Sequence, residues 1–337
     1  MVATQINPRL ARLWLADDIR QYGYKSPLKL ESLSEPELRI LDYLETGITT
    51  SQMSALPAIA RADKDAVDRM VAKLTPVLSE SGRLPVSYSP AEVKTHFTEI
   101  ARLFGPQTPF ADALEKRRSA RIFIESIGRT GLVIANALSA SEFGTLLTLD
   151  QLRVGEEDCL PLGHPRSHLG IPRATSAKRQ LESTQMQFHS RRSATLEKVS
   201  IAILIADDIV RPSSYQPWIS RDIPHLAICF DQQGVEISPL IVPETTPCIG
   251  CIEKAKFETD EHWRTIAPQL LARDRSNQDS AMMLFATGVV TNLILNHVDQ
   301  SGFTSTKSLR LNRSGSLGSF EPATSHCGCG LGGSRRD

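Results

Sequence analysis

The sequence predicts an α/β protein: a mostly parallel sheet with helices on both faces, preceded by a small α+β module and closed by a cysteine metal site. Three observations carry this. Apolar strands alternate with helical segments from Arg121 onward. A glycine turn joins the first of these strands to its helix. Two cysteine pairs, Cys248–Cys251 and Cys327–Cys329, lie far apart in the chain at ligand-like spacings. Alternation of strand and helix favours a parallel sheet with ligands bound off its carboxyl edge.

The first hundred residues follow a different pattern. "LARLWLADDIRQYGY" and "LKLESLS" read as short strands. Ser34 then caps "EPELRILDYLETG", with Glu37 completing a capping box, Pro36 in the first turn and Gly47 as the stop. Helices are expected over Thr50 to Ala60 and over Asp63 to Leu78. Short strands with three small helices suit a winged-helix-like module over residues 1–88. Such modules bind DNA or peptides, or act as spacers. Lys+Arg and Asp+Glu both number 38 in the 337 residues. That balance excludes a broad nucleic-acid surface and favours peptide or protein contact. "GRLPVSYSP" and "PQTPF" break the chain, so 89–120 is expected to be a helical linker.

From residue 121 to 337 the pattern is that of a nucleotide-binding domain. "RIFIESIG" is a strand ending in a glycine turn, "RTGLVIANALSASEFG" a helix, and "TLLTLD" a second strand tipped by Asp150. This is the Rossmann-like βαβ arrangement. In the glycine loop Gly128 allows close approach of a phosphate and Gly131 allows tight helix packing, while Ser126 stands where the first glycine is usual. The helix N-terminus offers N–H groups to an anion. Asp150 is placed to accept from ribose hydroxyls, which serves NAD and ATP alike. "KVSIAILIADD" and "PHLAICF" are further strands, the first ending at Asp207.

The cysteines discriminate. Cys248, Cys251, Cys327 and Cys329 together make a closed tetrahedral zinc site, structural rather than catalytic, with His326 as an alternative ligand. A redox CxxC is the competing reading. Cys229 reads as a buried small hydrophobe and Cys159 as an idle loop thiol. The N-terminus has no apolar signal region, and "AMMLFATGVVTNLILNHV" carries enough polar residues to be a core helix. A cytoplasmic protein with no membrane partner is expected.

These pieces resemble the ThiF/MoeB/HesA family, bacterial relatives of ubiquitin-activating enzymes, over Arg121 to Gly330. The resemblance implies a ThiF-type fold, ATP on the glycine loop, Asp150 at the ribose and Asp207 at ATP or Mg²⁺. Asp158 falls where the family has an Asn after its "D-x-x-x-V" run. "LGIPRATSAKRQL" looks like the family's "G-x-P-K-A" helix start, which puts Arg173 on the phosphate-contacting Lys position. The family's "N-x-x-R" arginine falls near Pro161, with Arg153 and Arg166 as candidates to replace it. Arg129, Arg173 and the helix N-terminus would then stabilise phosphate charge.

Two functions follow from the resemblance. In the first, ATP and Mg²⁺ bind, and the C-terminal carboxylate of a precursor peptide or carrier protein is adenylated. In the second, suggested by the fused N-terminal module and the closing "CGCG", the chain is a scaffold of ribosomal-peptide modification. It would bind a leader peptide and present it to a YcaO-like cyclodehydratase. The family's habit implies a homodimer. An NAD-dependent dehydrogenase leaves the cysteines and Asp207 without a role. Its only tempting proton donors are His164 and His168, read as loop residues facing solvent.

Overall fold

The computed structural model describes residues 3–25, 27–81, 110–181, 187–189, 198–273, 276–299 and 305–329. It divides the chain into two units, Met1–Lys116 and Arg117–Asp337. The linker read at 82–90 and the helix expected after it, over 91–105, lie outside the described residues.

The first unit contains β1 (Ala3–Ile6), β2 (Arg12–Ala16), β3 (Ile19–Tyr22), β4 (Leu28–Leu30), α1 (Glu35–Thr46), β5 (Ile48–Thr49), α2 (Thr50–Ala60), α3 (Lys64–Leu74) and β6 (Leu78–Ser81). The strands form two three-stranded sheets, β5-β1-β6 and β2-β3-β4. The local signals act as expected around α1, whereas α3 ends at Leu74, short of the expected Leu78, which instead opens β6. The Glu37 carboxylate accepts the Ser34 backbone N–H at 2.8 Å, and Gly47 ends α1 at φ 88°. Buried Ile40, Leu41 and Leu44 of α1 meet Leu56, Met70 and Leu74 of the next two helices in one core. Tyr22 is buried there with its hydroxyl donating to Glu45 at 2.6 Å, so the ring is desolvated while its polar end keeps a partner.

Helix α4 (Phe110–Ser119) leads into the second unit. That unit runs β7 (Arg121–Ile124), α5 (Arg129–Ala140), β8 (Thr145–Leu147), α6 (Arg173–Leu181), β9 (Gln187–His189), β10 (Ile201–Asp207), α7 (Pro212–Ile219), β11 (His225–Phe230), β12 (Gly234–Ile237), α8 (Ile249–Thr259), α9 (Trp263–Leu271), α10 (Ser280–Asp299), β13 (Ser308–Asn312) and β14 (Leu317–Phe320). One eight-stranded sheet has the order β14-β13-β12-β11-β10-β7-β8-β9. The five strands from β11 to β9 are parallel, and β12, β13 and β14 extend the sheet antiparallel.

Alternation along the strands sets the two faces. Ile122 and Ile124 of β7 pack with Leu132, Ala135 and Leu138 of α5 and with Met282, Ala286, Val290 and Ile294 of α10. Phe123, between them, faces the other way, with its ring 4.5 Å from that of Trp218 on α7, in a cluster that includes Ile249 of α8. Helices therefore cover both faces. Helix α10 is long and apolar enough to cross a membrane by length and composition, and its Met283, Ala286, Val290 and Ile294 are fully buried in this core.

Chain order reverses between β7 and β10. After β7 the chain adds β8 and β9 on one side, then returns to place β10 and β11 on the other. Such a switch point leaves a crevice at the carboxyl ends of the two central strands.

Candidate nucleotide site and cysteine cluster

The crevice is a cavity of about 1060 Å³ whose floor is formed by Glu125, Ser126 and Gly128 after β7 and by Ile205, Ala206 and Asp207 at the end of β10. Arg129, Asp158 and Arg173 also line it. Gly128 caps α5 without any side-chain cap, so the first N–H groups of that helix remain available to an anion. A Cβ on Gly128 would lie 3.0 Å from Asp158 Oδ1 and 3.4 Å from Arg173 Cζ. A Cβ on Gly131 would meet the Ser126 carbonyl oxygen at 1.9 Å, so only glycine lets α5 come this close to the turn.

Asp150 sits behind the loop. Its Oδ2 accepts the Ile127 N–H at 2.9 Å and the Ser126 hydroxyl at 3.3 Å, and its Oδ1 accepts the Leu152 N–H at 2.8 Å. Asp158 and Arg173 pair with each other, Nε to Oδ2 at 2.6 Å, and the second carboxylate contact of Asp158 is the Gly155 N–H at 2.9 Å. Arg129 donates to the Pro161 carbonyl at 3.0 Å and to the Ser280 hydroxyl at 2.7 Å. The guanidinium beside Pro161 thus comes from the glycine-loop helix. Neither Arg153, which donates to the Gly170 carbonyl at 2.6 Å, nor Arg166, paired with Glu156, is among the lining residues.

Asp207 is held by a segment the sequence reading left unassigned. Its Oδ1 accepts the Asn277 N–H at 2.6 Å and its Oδ2 accepts from the Gln278 amide at 2.8 Å. Gln278 in turn accepts from the Thr130 hydroxyl at 2.7 Å, which links the first turn of α5 to the end of β10. Burial pushes the Asp207 carboxyl above its ordinary value, against the pull of these hydrogen bonds. Glu125 was also missed. It closes β7, accepts the Ile205 N–H at 3.1 Å and is likewise pushed up by burial. Its signal in the sequence is a lone acid ending the apolar run "RIFI", just before the glycine turn.

His164 is a correction. Expected in solvent, it is 2 % exposed, with Nε2 2.9 Å from the Ile127 carbonyl and Nδ1 2.6 Å from the Ser176 hydroxyl. The loop from Asp158 to His164 folds back on itself through the His164 N–H to the Asp158 carbonyl at 2.7 Å, which brings the ring inward.

The four cysteines do converge. Cys248 caps α8 and Cys251 lies in its first turn, while the tail brings Cys327 and Cys329 to them. Sγ separations are 3.8 Å for Cys248–Cys251, 3.4 Å for Cys248–Cys327 and Cys251–Cys327, and 3.6 Å for Cys251–Cys329. Four sulfurs bonded tetrahedrally to zinc at about 2.3 Å would stand about 3.8 Å apart, so the set fits such an ion. Gly328, at φ 88°, takes the left-handed turn between Cys327 and Cys329. Burial pushes the Cys248 thiol up and the Cys327 thiol up to about 11, so a bound cation is what would hold them as thiolates. His326 is outside this group; its Nδ1 accepts the Gly328 N–H at 3.3 Å and its carbonyl accepts from Lys254 at 2.7 Å.

No protein-family model matches the chain, and no curated sequence matches it. Solved structures do. Escherichia coli MccB, solved with ATP, superposes with a TM-score of 0.68 at 12% identity, over 96% of this chain and 98% of its own. The chain has the MccB fold. MccB described as the microcin C7 biosynthetic enzyme, in complex with N-formylated MccA, matches with a TM-score of 0.67 at 12% identity, over 96% and 98% of the two chains. PaaA matches with 0.66 at 12%, over 94% and 99%. The MccB fold is the ThiF-like one that the sequence resemblance implies, and its match extends over the N-terminal unit as well, beyond the region that carried the resemblance.

Proposed function

We propose that the chain binds ATP with Mg²⁺ in the switch-point cavity and adenylates the C-terminal carboxylate of a precursor peptide or carrier protein. The observation that carries this is the cavity itself. A helix N-terminus without a side-chain cap, with Arg129 and Arg173 beside it, faces the crevice between β7 and β10, in a fold whose relative MccB is solved with ATP and with MccA.

In this reading the N–H groups after Gly128, with Arg129 and Arg173, receive the phosphates and stabilise the charge that develops on them. Arg173 presents a planar fork where a lysine would present a point charge. Asp150 keeps one spare lone pair, on Oδ1, for a ribose hydroxyl, while its Oδ2 is fully engaged in holding the loop. Asp207 takes the Mg²⁺ side; the ion supplies charge neutralisation along the phosphates. Asp158 orients Arg173. The peptide carboxylate oxygen bonds to the α-phosphorus, the bond to the β-phosphate oxygen breaks, and pyrophosphate leaves with its electron pair. The cysteine cluster carries a structural zinc, and the chain works in the cytoplasm as a homodimer. Exchange of label between pyrophosphate and ATP, with candidate peptides present, tests the reaction. Asp207→Ala is expected to abolish it.

One observation favours a second reading. The cavity's charges are largely satisfied within the chain: Arg173 by Asp158, Arg129 by Pro161 and Ser280, and Asp207 by Asn277 and Gln278. Under it the protein is a scaffold. A winged-helix-like N-terminal module takes a leader peptide as an added strand and offers it to a YcaO-like cyclodehydratase. Removing residues 1–81 is then expected to abolish peptide binding measured by fluorescence anisotropy, whereas unchanged binding contradicts it.

A further inference from the structure

His164 is absent from the cavity lining and yet touches the glycine loop. The Ile127 carbonyl is an acceptor only, so His164 Nε2, 2.9 Å away, carries the proton and donates. In the neutral ring Nδ1 is then bare, and it accepts the Ser176 hydroxyl proton at 2.6 Å, with the Gln180 amide a second, longer donor at 3.3 Å. Ser176 Oγ, having given its proton, accepts from His168 Nδ1 at 2.8 Å. One proton arrangement thus runs from His168 through Ser176 and His164 to the loop. His164 and Ser176 are 2 % and 0 % exposed, and burial pushes the His164 ring below its ordinary value, toward the neutral form that this arrangement needs.

The other side of the same residue is fixed as well, since Asp150 accepts the Ile127 N–H. Both polar groups of Ile127, the residue before the helix cap, are therefore held. Ser176 lies one turn along α6 from Arg173, whose guanidinium pairs with Asp158 beside Gly128. Helix α6 acts on the loop twice: on its cavity side through Arg173 and on its buried side through Ser176 and His164.

We infer that His164 is a positioning residue for the anion-binding turn: by holding the Ile127 carbonyl against α6 it fixes the direction of the N–H groups that follow Gly128. The inference rests on the reading that ATP phosphates occupy that turn, and it assigns a role to a side chain that does not contact the nucleotide.

The variants are His164→Ala, His164→Gln and His164→Asn in the full chain. A glutamine amide reaches as far as Nε2 and can donate to Ile127; an asparagine amide reaches only as far as Nδ1. Losing the buried hydrogen bond is expected to weaken binding of Mg²⁺-ATP by calorimetry about tenfold in His164→Ala and His164→Asn. His164→Gln should stay within about threefold of wild type, the effect left when the Nδ1 contacts with Ser176 and Gln180 are lost and the bond to Ile127 is kept. Hydrogen exchange of the segment 126–131, without nucleotide, should accelerate in His164→Ala and His164→Asn and be restored in His164→Gln. A merely space-filling role would rank the variants by side-chain volume. A further variant, His164→Leu, close to glutamine in size but without a donor, would then match His164→Gln. The inference places it with His164→Ala, and a match with His164→Gln overturns it. Unchanged exchange and affinity in His164→Ala, or indistinguishable His164→Gln and His164→Asn, overturns the inference. If His164→Ala does not fold, the Gln and Asn pair decides. Wild-type protein that binds no ATP contradicts the adenylation reading, and the exchange arm still judges His164.

Discussion

Gly131 shows how one position constrains the site. Because a Cβ there would stand 1.9 Å from the Ser126 carbonyl, Gly131→Ala must push α5 off the turn. A loss of about 3 kcal/mol in denaturant unfolding is expected, toward the upper end of overpacking costs. His225 gives a pH signature. It is fully buried on β11, Nδ1 donates to the Ile223 carbonyl at 2.9 Å, and Nε2 has no partner among the described residues. Burial pushes it down from 6.5 to about 4. The folded state therefore binds fewer protons than the unfolded one between these values. Stability is full above pH 6.5 and falls by up to about 3 kcal/mol as pH drops toward 4. Thermal unfolding across that range should show the slope, and His225→Leu should flatten it. At this scale the sequence was legible where a residue type has one common reason to be present, as with Gly131. It was not legible for His164, because nothing local says that the loop from Asp158 folds its ring inward.

At the scale of elements, α8 is the clearest case. Its first turn carries Cys248 and Cys251, and the tail reaches it through the Ser325 N–H to the Cys251 carbonyl at 3.0 Å. About one zinc per purified chain is expected by elemental analysis. Cys251→Ser or Cys329→Ser should lose the metal and lower the melting temperature, since metal-binding energy is folding energy in such sites. Metal-free wild type of unchanged stability contradicts a structural ion. The CxxC and CxC spacings were enough to anticipate this convergence across 76 residues. The capping box of α1 and the glycine turn before α5 were equally readable, because each is a short-range chemical requirement. The segment that holds Asp207 was not. Asn277 and Gln278 lie 70 and 71 residues from it, and their polar composition resembles any loop.

Over the whole molecule, the parallel core followed from strand–helix alternation, while the antiparallel extension β12-β13-β14 did not. Its strands are short, and β14 is exposed throughout, so it has little apolar periodicity to read. The switch point between β7 and β10 is a property of topology alone, yet it is what gathers Gly128, Arg173 and Asp207 around one cavity. The charge pairs inside that cavity mean that a bound nucleotide must take over contacts the chain now makes with itself. Arg173 would have to exchange part of its pairing with Asp158 for phosphate, a substitution of one charged partner by another. ATP–pyrophosphate exchange measures whether it does so productively. Label from pyrophosphate should appear in ATP when a suitable peptide carboxylate and Mg²⁺ are present, and should vanish in Asp207→Ala. Absence of exchange across a broad panel of precursor peptides and carrier proteins would contradict adenylation and leave the scaffold.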